Sequence, residues 1–240
     1  MSKVENSKRC ILASSSLNIP PGTKIIVLRA ETVVFDIDET LLHTHFAQLL
    51  NEDQCRFLNE LVCNEIRQNI PMRERNFHFL PVGIQVHVCQ IRKGMWSLLE
   101  NLISHHFNIV IWSAGELNYV EAVCNLIFGE LKHRPLMVLC RNHCCIESPT
   151  SAYASLVYTK PLSMLKSHLS IMPIESCLLV DNRKENGVYF PNQLLHVKDF
   201  NPNPWENNNN TGLEDRSLLE EYLPQIHLYF YKLNSKMICT

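Results

Sequence analysis

The sequence predicts an α/β fold in which a mostly parallel central sheet is flanked by helices, with a helix-plus-hairpin insertion after its first motif-bearing strand. Short apolar runs of strand character alternate with stretches whose apolar residues recur at helical spacing. Three of these runs end in polar residues: Asp36 and Asp38, Ser113, and Asp181 with Asn182. Open α/β sheets bind ligands beyond the carboxyl ends of their strands, so these residues are expected to converge.

Residues 1–22, with three consecutive serines and Pro20-Pro21-Gly22, read as a loose leader. A short edge strand is expected over 25–28. Residues 32–35, Thr-Val-Val-Phe, run straight into the two aspartates as the first central strand. Phe57, Leu58, Leu61, Val62 and Ile66 have helical spacing, predicting a helix over 51–68 that ends before Pro71. Alternation of Ile84, Val86 and Val88 with polar residues predicts a hairpin over 77–91, turning at Gly83. The insertion thus spans about 47–91. Arg92-Lys93-Gly94 leads into a helix carrying Trp96, Leu98, Leu99, Leu102 and Ile103, followed by a buried strand over 107–112 and a helix over 117–128. A short strand is expected over 136–139, a polar connection over 148–155 and a helix from Lys160-Pro161 to about Leu169. Strands over 177–180 and 194–197 follow. An Asn/Pro-rich linker over 201–210 precedes a closing helix over 213–233, with Pro224 a candidate break. The core domain is therefore 23–202, and 203–240 is a linker plus a helix packed on the same domain. No internal repeat is present.

A chain of 240 residues, 46% hydrophobic and 19% charged, supports a substantial core of ordinary globular type. A formal net charge of -2 argues against a general binder of nucleic acid or anionic membrane, so phosphate recognition requires a local cluster. No apolar run reaches bilayer-spanning length, and the short Cys10-Ile11-Leu12-Ala13 run after Lys8 and Arg9 is too brief for a signal peptide. With ten cysteines and no sign of secretion, the expected setting is a reducing one, nuclear or cytoplasmic. Cys140, His143, Cys144 and Cys145 contain metal-ligating types, yet they lack a second paired half, so structural cysteines are expected there.

Asp36 and Asp38, two apart on an extended segment, project to one side. Close like charges raise each other's pKa or recruit a cation, which allows one carboxylate to act as nucleophile while the other handles protons. The spacing alone also suits caps of the following segment. Taken singly, Ser113 suits a helix N-cap, Lys160 a solvated surface lysine, Asp181-Asn182 a turn, and Arg92 a side chain lying across a helix start. Joint occurrence at successive strand ends favours a site.

Asp36-Ile37-Asp38-Glu39-Thr40 resembles the DxDxT motif of haloacid dehalogenase (HAD) superfamily phosphatases. Ser113, Lys160 and Asp181-Asn182 are similar to its remaining motifs, in order. The best resemblance is to the RNA polymerase C-terminal-domain (CTD) phosphatases and small CTD phosphatases, also called the NLI-interacting-factor-like family. It rests on residues 36–43, Arg92, Ser113, Lys160, Asp181-Asn182, Tyr189 and Pro191-Asn192, and covers 32–202. Lys93, Arg183 and Glu116 depart from the family pattern of proline, serine and an apolar residue. The resemblance implies a HAD-like Rossmannoid fold and an Mg²⁺-dependent protein serine/threonine phosphatase acting through an aspartyl-phosphate. Asp36 would be nucleophile and Asp38 acid and base. Asp36, the Asp38 backbone carbonyl and Asn182 would bind Mg²⁺. Thr40, Ser113 and Lys160 would bind phosphate, with Asp181 orienting Lys160 or water. Phe46 and Arg92 would contact substrate. The implied partner is a phosphoprotein, such as a Ser/Pro-rich tail, with no direct nucleic acid and no membrane. A phosphatase of small metabolites or nucleic-acid ends, and a non-catalytic scaffold of the same fold, are the competing readings.

Overall fold

Thr32-Val33-Val34-Phe35 is buried on both faces, the condition under which consecutive β-branched and aromatic residues form a strand at the centre of a parallel sheet. The computed structural model describes residues 11–12, 31–147, 157–168, 174–205 and 217–238. In chain order the elements are β1 (Ile11–Leu12), β2 (Thr32–Phe35), β3 (Leu42–His45), α1 (Glu52–Arg67), β4 (Phe77–Val82), β5 (Gln85–Ile91), α2 (Met95–Ser104), β6 (Asn108–Trp112) and α3 (Leu117–Leu131). There follow β7 (Met137–Leu139), β8 (Cys145–Glu147), β9 (Val157–Thr159), α4 (Ser163–His168), β10 (Cys177–Asp181), β11 (Leu194–His196) and α5 (Leu218–Ile238).

The main sheet runs β1-β7-β6-β2-β10-β11, with every neighbouring pair parallel. The chain leaves β2 for β6 and β7 on one side and returns to β10 and β11 on the other. β2 is therefore the switch point, where a cleft opens at the carboxyl ends of the strands. Phe35 pairs with Ile111 and Val180, which brings Asp36, Ser113 and Asp181 side by side. Val33, Phe35, Ile109, Ile111, Leu178 and Val180 pack on one face against α2, α3 and α5. Val34, Val110, Trp112 and Leu179 pack on the other, with Leu162 and Leu165 around the start of α4.

The insertion builds a second sheet, β3-β5-β4, all antiparallel. Asn51 caps α1 reciprocally with Gln54: its side chain accepts from the Gln54 N–H at 2.9 Å, and the Gln54 side chain accepts from the Asn51 N–H at 3.1 Å. Leu58 and Val62 on the inner face of α1 meet Val88. Gly83 turns the hairpin at φ +59, in the left-handed region.

The expected helix and hairpin are present, whereas β3 is an addition: Leu-His-Thr-His offers too little apolar character to read as strand until β5 pairs with it. Lys160 does not open a helix. It lies between β9, which ends at Thr159, and α4, which begins at Ser163. The closing helix continues through Pro224, which is exposed; the apolar stripe Leu218, Tyr222, Ile226 and Phe230 holds both halves on the core. Within the expected leader, Ile11–Leu12 pairs with β7. The expected strand over 25–28 and connection over 148–155 lie outside the described residues, as do 206–210 of the expected linker. Among the described residues no helix is long and apolar enough to cross a membrane.

Gly94 joins the two ends of the domain. Its φ is +79, and a Cβ there would lie 2.0 Å from Ser217 Oγ, beside the point where the Leu218 N–H donates to the Lys93 carbonyl at 2.9 Å. Gly94→Ala is expected to destabilise the protein by about 2 kcal/mol. A urea midpoint unchanged by the substitution would contradict this packing.

Candidate active site

The loop after β2 is wound tightly. The N–H groups of Thr40, Leu41 and Leu42 all approach the Ile37 carbonyl, at 3.2, 2.9 and 3.3 Å, and Glu39 takes φ +60. That uncommon conformation is fixed from several directions: His43 Nδ1 pairs with Glu39 Oε1 at 2.7 Å, and the Phe200 N–H donates to the Glu39 carbonyl at 2.8 Å. Asp36 itself extends the ladder, its N–H donating to the Val180 carbonyl at 3.0 Å. Asp36 and Asp38 thus enter the cleft from a backbone with little freedom to move.

Lys160 is the centre of the cluster. Only 2% exposed, its Nζ donates to Asp36 Oδ1 and, at 2.9 Å, to Asp181 Oδ2. Asp181 is completely buried and accepts in addition from the Arg183 N–H at 2.8 Å and from Asn186 Nδ2 at 2.7 Å. Asn186 Oδ1 in turn accepts from the Lys160 N–H at 3.1 Å, so one amide holds both the lysine backbone and its partner carboxylate. Thr40 Oγ1 donates to Asp36 Oδ2 at 3.1 Å and accepts from the Asn182 N–H at 3.2 Å. Asn182 Nδ2 donates to Asp199 Oδ1 at 3.1 Å, which turns the amide oxygen toward Thr40, 3.3 Å away.

Asp38 makes a separate set of contacts. Its Oδ2 accepts from Ser113 Oγ at 3.2 Å, and its Oδ1 accepts from the Tyr119 hydroxyl. Ser113 Oγ accepts from the Gly115 N–H at 2.8 Å, and the residue at the N-cap of α3 is Glu116, so Ser113 serves the cluster rather than the helix terminus. Its hydroxyl proton is directed at Asp38.

Burial is the largest single influence on Asp36, Asp38, Tyr119 and Lys160. It pushes the Asp36 carboxyl up to about 7, aided by the charges of Asp181 and Asp38 and opposed by Lys160. Burial likewise raises Asp38, against the hydrogen bonds from Tyr119 and Ser113. For Lys160, burial works against the charged form, but Asp181 and Asp36 together outweigh it and the ammonium keeps its proton. Tyr119 is raised well above its ordinary range by burial and by the Asp38 charge, so it remains a donor.

The structure therefore gathers Asp36, Asp38, Thr40, Ser113, Lys160, Asp181 and Asn182. Phe46 lies half-buried beside them, its ring 5.5 Å from that of Tyr119 and 5.2 Å from that of His87. Arg92, for which a substrate contact is expected, holds backbone in this fold. It is 5% exposed, and Nη1 donates to the backbone carbonyls of Thr40 at 3.2 Å and Lys198 at 2.8 Å, while the guanidinium lies over Phe200 and Tyr222. A planar fork suits that clamp between the Thr40 loop and residues 198–200. Among the departures from the family pattern, Glu116 pairs with Arg141 at 3.1 Å on the rim, and Arg183 contributes its backbone N–H to Asp181.

Sequence reasoning did not single out Tyr119, Asn186 or Thr44. Tyr119 reads as one more apolar position of an amphipathic helix, and only its hydroxyl, reaching back to Asp38, distinguishes it. Asn186 lies five residues beyond Asp181, a separation without a motif of its own.

The donors fit a magnesium ion. Asp36, the Asp38 carbonyl and the Asn182 amide oxygen are all hard oxygen ligands, and three carboxylates (Asp36, Asp38, Asp181) face one ammonium, leaving negative charge for a divalent cation to balance. Among the described residues no group of three or more His, Cys, Asp or Glu side chains is placed to hold a metal ion, so a cation here would draw on a backbone carbonyl and an amide oxygen beside the Asp36 carboxylate.

A family model described as NLI interacting factor-like phosphatase matches residues 31–229. Among solved structures, one of Fcp1, described as an essential RNA polymerase II CTD phosphatase, aligns with a TM-score of 0.50 at 18% identity, covering 82% of this chain and 49% of that one. A fission yeast Fcp1 variant bound to beryllium fluoride aligns at 0.48 and 17% identity, over 71% of this chain and 42% of that one. A Thermotoga maritima protein, described as a putative beta-phosphoglucomutase, aligns at 0.39 and 12% identity, over 72% and 88%. The chain thus spans about half the length of the first Fcp1 structure. No curated protein sequence matches it.

Replacing Lys160 with methionine leaves two buried carboxylates facing each other, and is expected to destabilise the protein by about 3 kcal/mol or more at neutral pH. Chemical denaturation of Lys160→Met at about pH 7 measures this; an undiminished stability would remove Lys160 from its charge-balancing place.

Proposed function

Because the chain belongs to the NLI interacting factor-like phosphatase family, we propose that it is an Mg²⁺-dependent phosphatase that removes phosphate from phosphoserine or phosphothreonine in a protein, through an aspartyl-phosphate on Asp36. The observation that carries this reading is the placement of Lys160 between Asp36 and Asp181 in a buried site. A nucleophilic carboxylate approaching an anionic phosphate needs positive charge beside it, and Lys160 supplies that charge without solvent screening. A scaffold that binds a partner without turnover has no use for three costly carboxylates gathered at one strand edge.

In the proposed reaction Asp36 attacks phosphorus in line. The bond from phosphorus to the serine or threonine oxygen breaks as Asp38 passes its proton to that oxygen. Water then attacks the phosphorylated Asp36, Asp38 takes the water proton, and the bond between Asp36 and phosphorus breaks to release inorganic phosphate. Lys160 and Thr40, both directed at Asp36, hold the nucleophile and face the equatorial oxygens. Asp36, the Asp38 carbonyl and Asn182 would hold Mg²⁺, which supplies charge neutralisation at the phosphoryl oxygens when bound. Phe46 and its aromatic neighbours form an apolar wall next to Asp38 suited to a substrate side chain such as proline, which supports a Ser/Pro-rich phosphoprotein tail. Ten cysteines in a chain with no sign of secretion support a nuclear or cytoplasmic setting.

Hydrolysis of p-nitrophenyl phosphate is expected to require Mg²⁺ and to fall by about 10³-fold or more in Asp36→Asn. Retained turnover in that variant would reject Asp36 as nucleophile. A phosphopeptide array discriminates among substrates: no preference for any phosphopeptide over small phosphate esters would overturn the protein substrate.

A pH dependence follows from Asp36. In the metal-free fold its pKa is raised to about 7, so between the ordinary carboxylate range and that value the folded state holds a proton the unfolded chain has lost. Stability from this group is therefore present at low pH and lost as pH rises through about 7. Mg²⁺ binds the ionised form, so millimolar Mg²⁺ is expected to raise the melting temperature by about 5 °C near pH 8 and far less near pH 5. Equal shifts at both pH values, or an undiminished shift in Asp36→Asn, would contradict the ligand assignment.

A further inference from the structure

We infer that Tyr119 is the positioning residue that fixes which oxygen of Asp38 carries the proton, and that Gly115 and Thr44 hold Tyr119 in that place. The inference rests on the proposed role of Asp38 as acid and base. Its grounds are geometric. Tyr119 is 6% exposed, and its hydroxyl donates to Asp38 Oδ1. The same hydroxyl lies 2.8 Å from Thr44 Oγ1, also buried. With the Tyr119 proton committed to Asp38, Thr44 is the donor of that second bond. The result is a directed chain, Thr44 to Tyr119 to Asp38 Oδ1, which makes Oδ1 an acceptor throughout.

The other oxygen is left for chemistry. Oδ2 lies 3.2 Å from Ser113 Oγ, and a serine hydroxyl can donate to a carboxylate or accept from a carboxylic acid by rotating its proton. Oδ2 can therefore lose and regain a proton without breaking the Tyr119 bond. In the first step the Oδ2–H bond breaks as the ester P–O bond breaks, the proton goes to the departing oxygen, and the electron pair stays on Oδ2. The second step reverses the transfer from water.

Gly115 makes this arrangement sterically possible. A Cβ at that position would stand 2.6 Å from Tyr119 Cδ1 and 3.1 Å from Ser113 Oγ, so any side chain there pushes the ring from its seat beside Asp38. The Ser113-Ala114-Gly115 turn thus delivers one donor to Oδ2 and clears space for the donor to Oδ1. Thr44 belongs to β3, paired with β5 of the insertion sheet, while Tyr119 belongs to α3 on the main sheet. The strand that supports the acid through Thr44 is thus itself held by the insertion strand β5.

The test is the dependence of kcat/KM on the leaving group, measured on the full chain with Mg²⁺ and p-nitrophenyl phosphate, phenyl phosphate and phosphoserine. An easily expelled nitrophenolate needs no proton, whereas serine alkoxide does. Tyr119→Phe keeps the ring and removes the hydroxyl. It is expected to lower kcat/KM for phosphoserine about tenfold while changing that for p-nitrophenyl phosphate by less than about threefold. Gly115→Ala, which displaces the ring, is expected to show the same selective loss and keeps the test available if Tyr119→Phe folds poorly. Asp38→Asn is the reference, with a steeper dependence still. A loss spread evenly over all three substrates, or no loss, in folded variants at Tyr119 and Gly115 beside a steep Asp38→Asn overturns the role of Tyr119 alone. A flat dependence in Asp38→Asn overturns the acid assignment, and that of Tyr119 with it.

Discussion

The ammonium of Lys160, buried between Asp36 and Asp181, is the interaction on which the rest of the site depends. Taking charges out of water costs several kcal/mol per ion, and mutual attraction offsets this only when the geometry is good and the remaining polar atoms are satisfied. The parallel order β6-β2-β10 meets the first condition by placing Asp36 and Asp181 on adjacent strand ends. Asn186 meets the second, bonding both the Lys160 backbone and Asp181. A site of this kind trades stability for readiness. Burial lifts the Asp36 carboxyl to about 7, so added positive charge beside it would favour its ionised form.

Two halves of the cleft have different supports. On the Asp36 side, Arg92 ties the Thr40 loop to Lys198, the Glu39 carbonyl accepts from Phe200, and Asn182 bonds Asp199. The segment after β11 thereby closes around the Asp36 edge of the cleft. On the Asp38 side, support comes from α3 through Tyr119 and from β3, paired with the insertion strand β5, through Thr44. Asp36 and Asp38 are two residues apart, yet their positions are set by parts of the chain that do not touch one another in sequence.

Much of this was legible in the sequence, and for physical reasons. The strands β2, β6 and β10 are buried on both faces, so they must be runs of apolar residues, and a charged or hydroxyl residue at the end of such a run is conspicuous. Asp36, Asp38, Ser113, Asp181 and Asn182 were found in this way. β3 escaped because its four residues alternate histidine with leucine and threonine, and it becomes a strand only by pairing with β5, more than forty residues later. Lys160 was found through a resemblance, since a lysine in isolation defaults to the surface; the helix expected to open at it begins only at Ser163, because Val157 to Thr159 pair as strand with β8. Arg92 illustrates a different loss. The residue was recognised, but whether a guanidinium points at solvent or at two backbone carbonyls is decided by the folding of residues 198–200, about which position 92 carries no information.

The oxygen atoms of Asp38 show how far a static arrangement can constrain chemistry. A carboxyl group that both gives and takes a proton must be able to change state without leaving its place. Two donors that were equally fixed would hold it permanently as a carboxylate. Here the donors differ: Tyr119 has its proton committed by a second hydroxyl behind it, whereas Ser113 accepts from a backbone N–H and keeps a rotatable proton. One oxygen is thereby a hinge and the other a working atom. The requirement for that asymmetry accounts for a glycine two residues after Ser113, and for a β3 threonine buried against a tyrosine of α3.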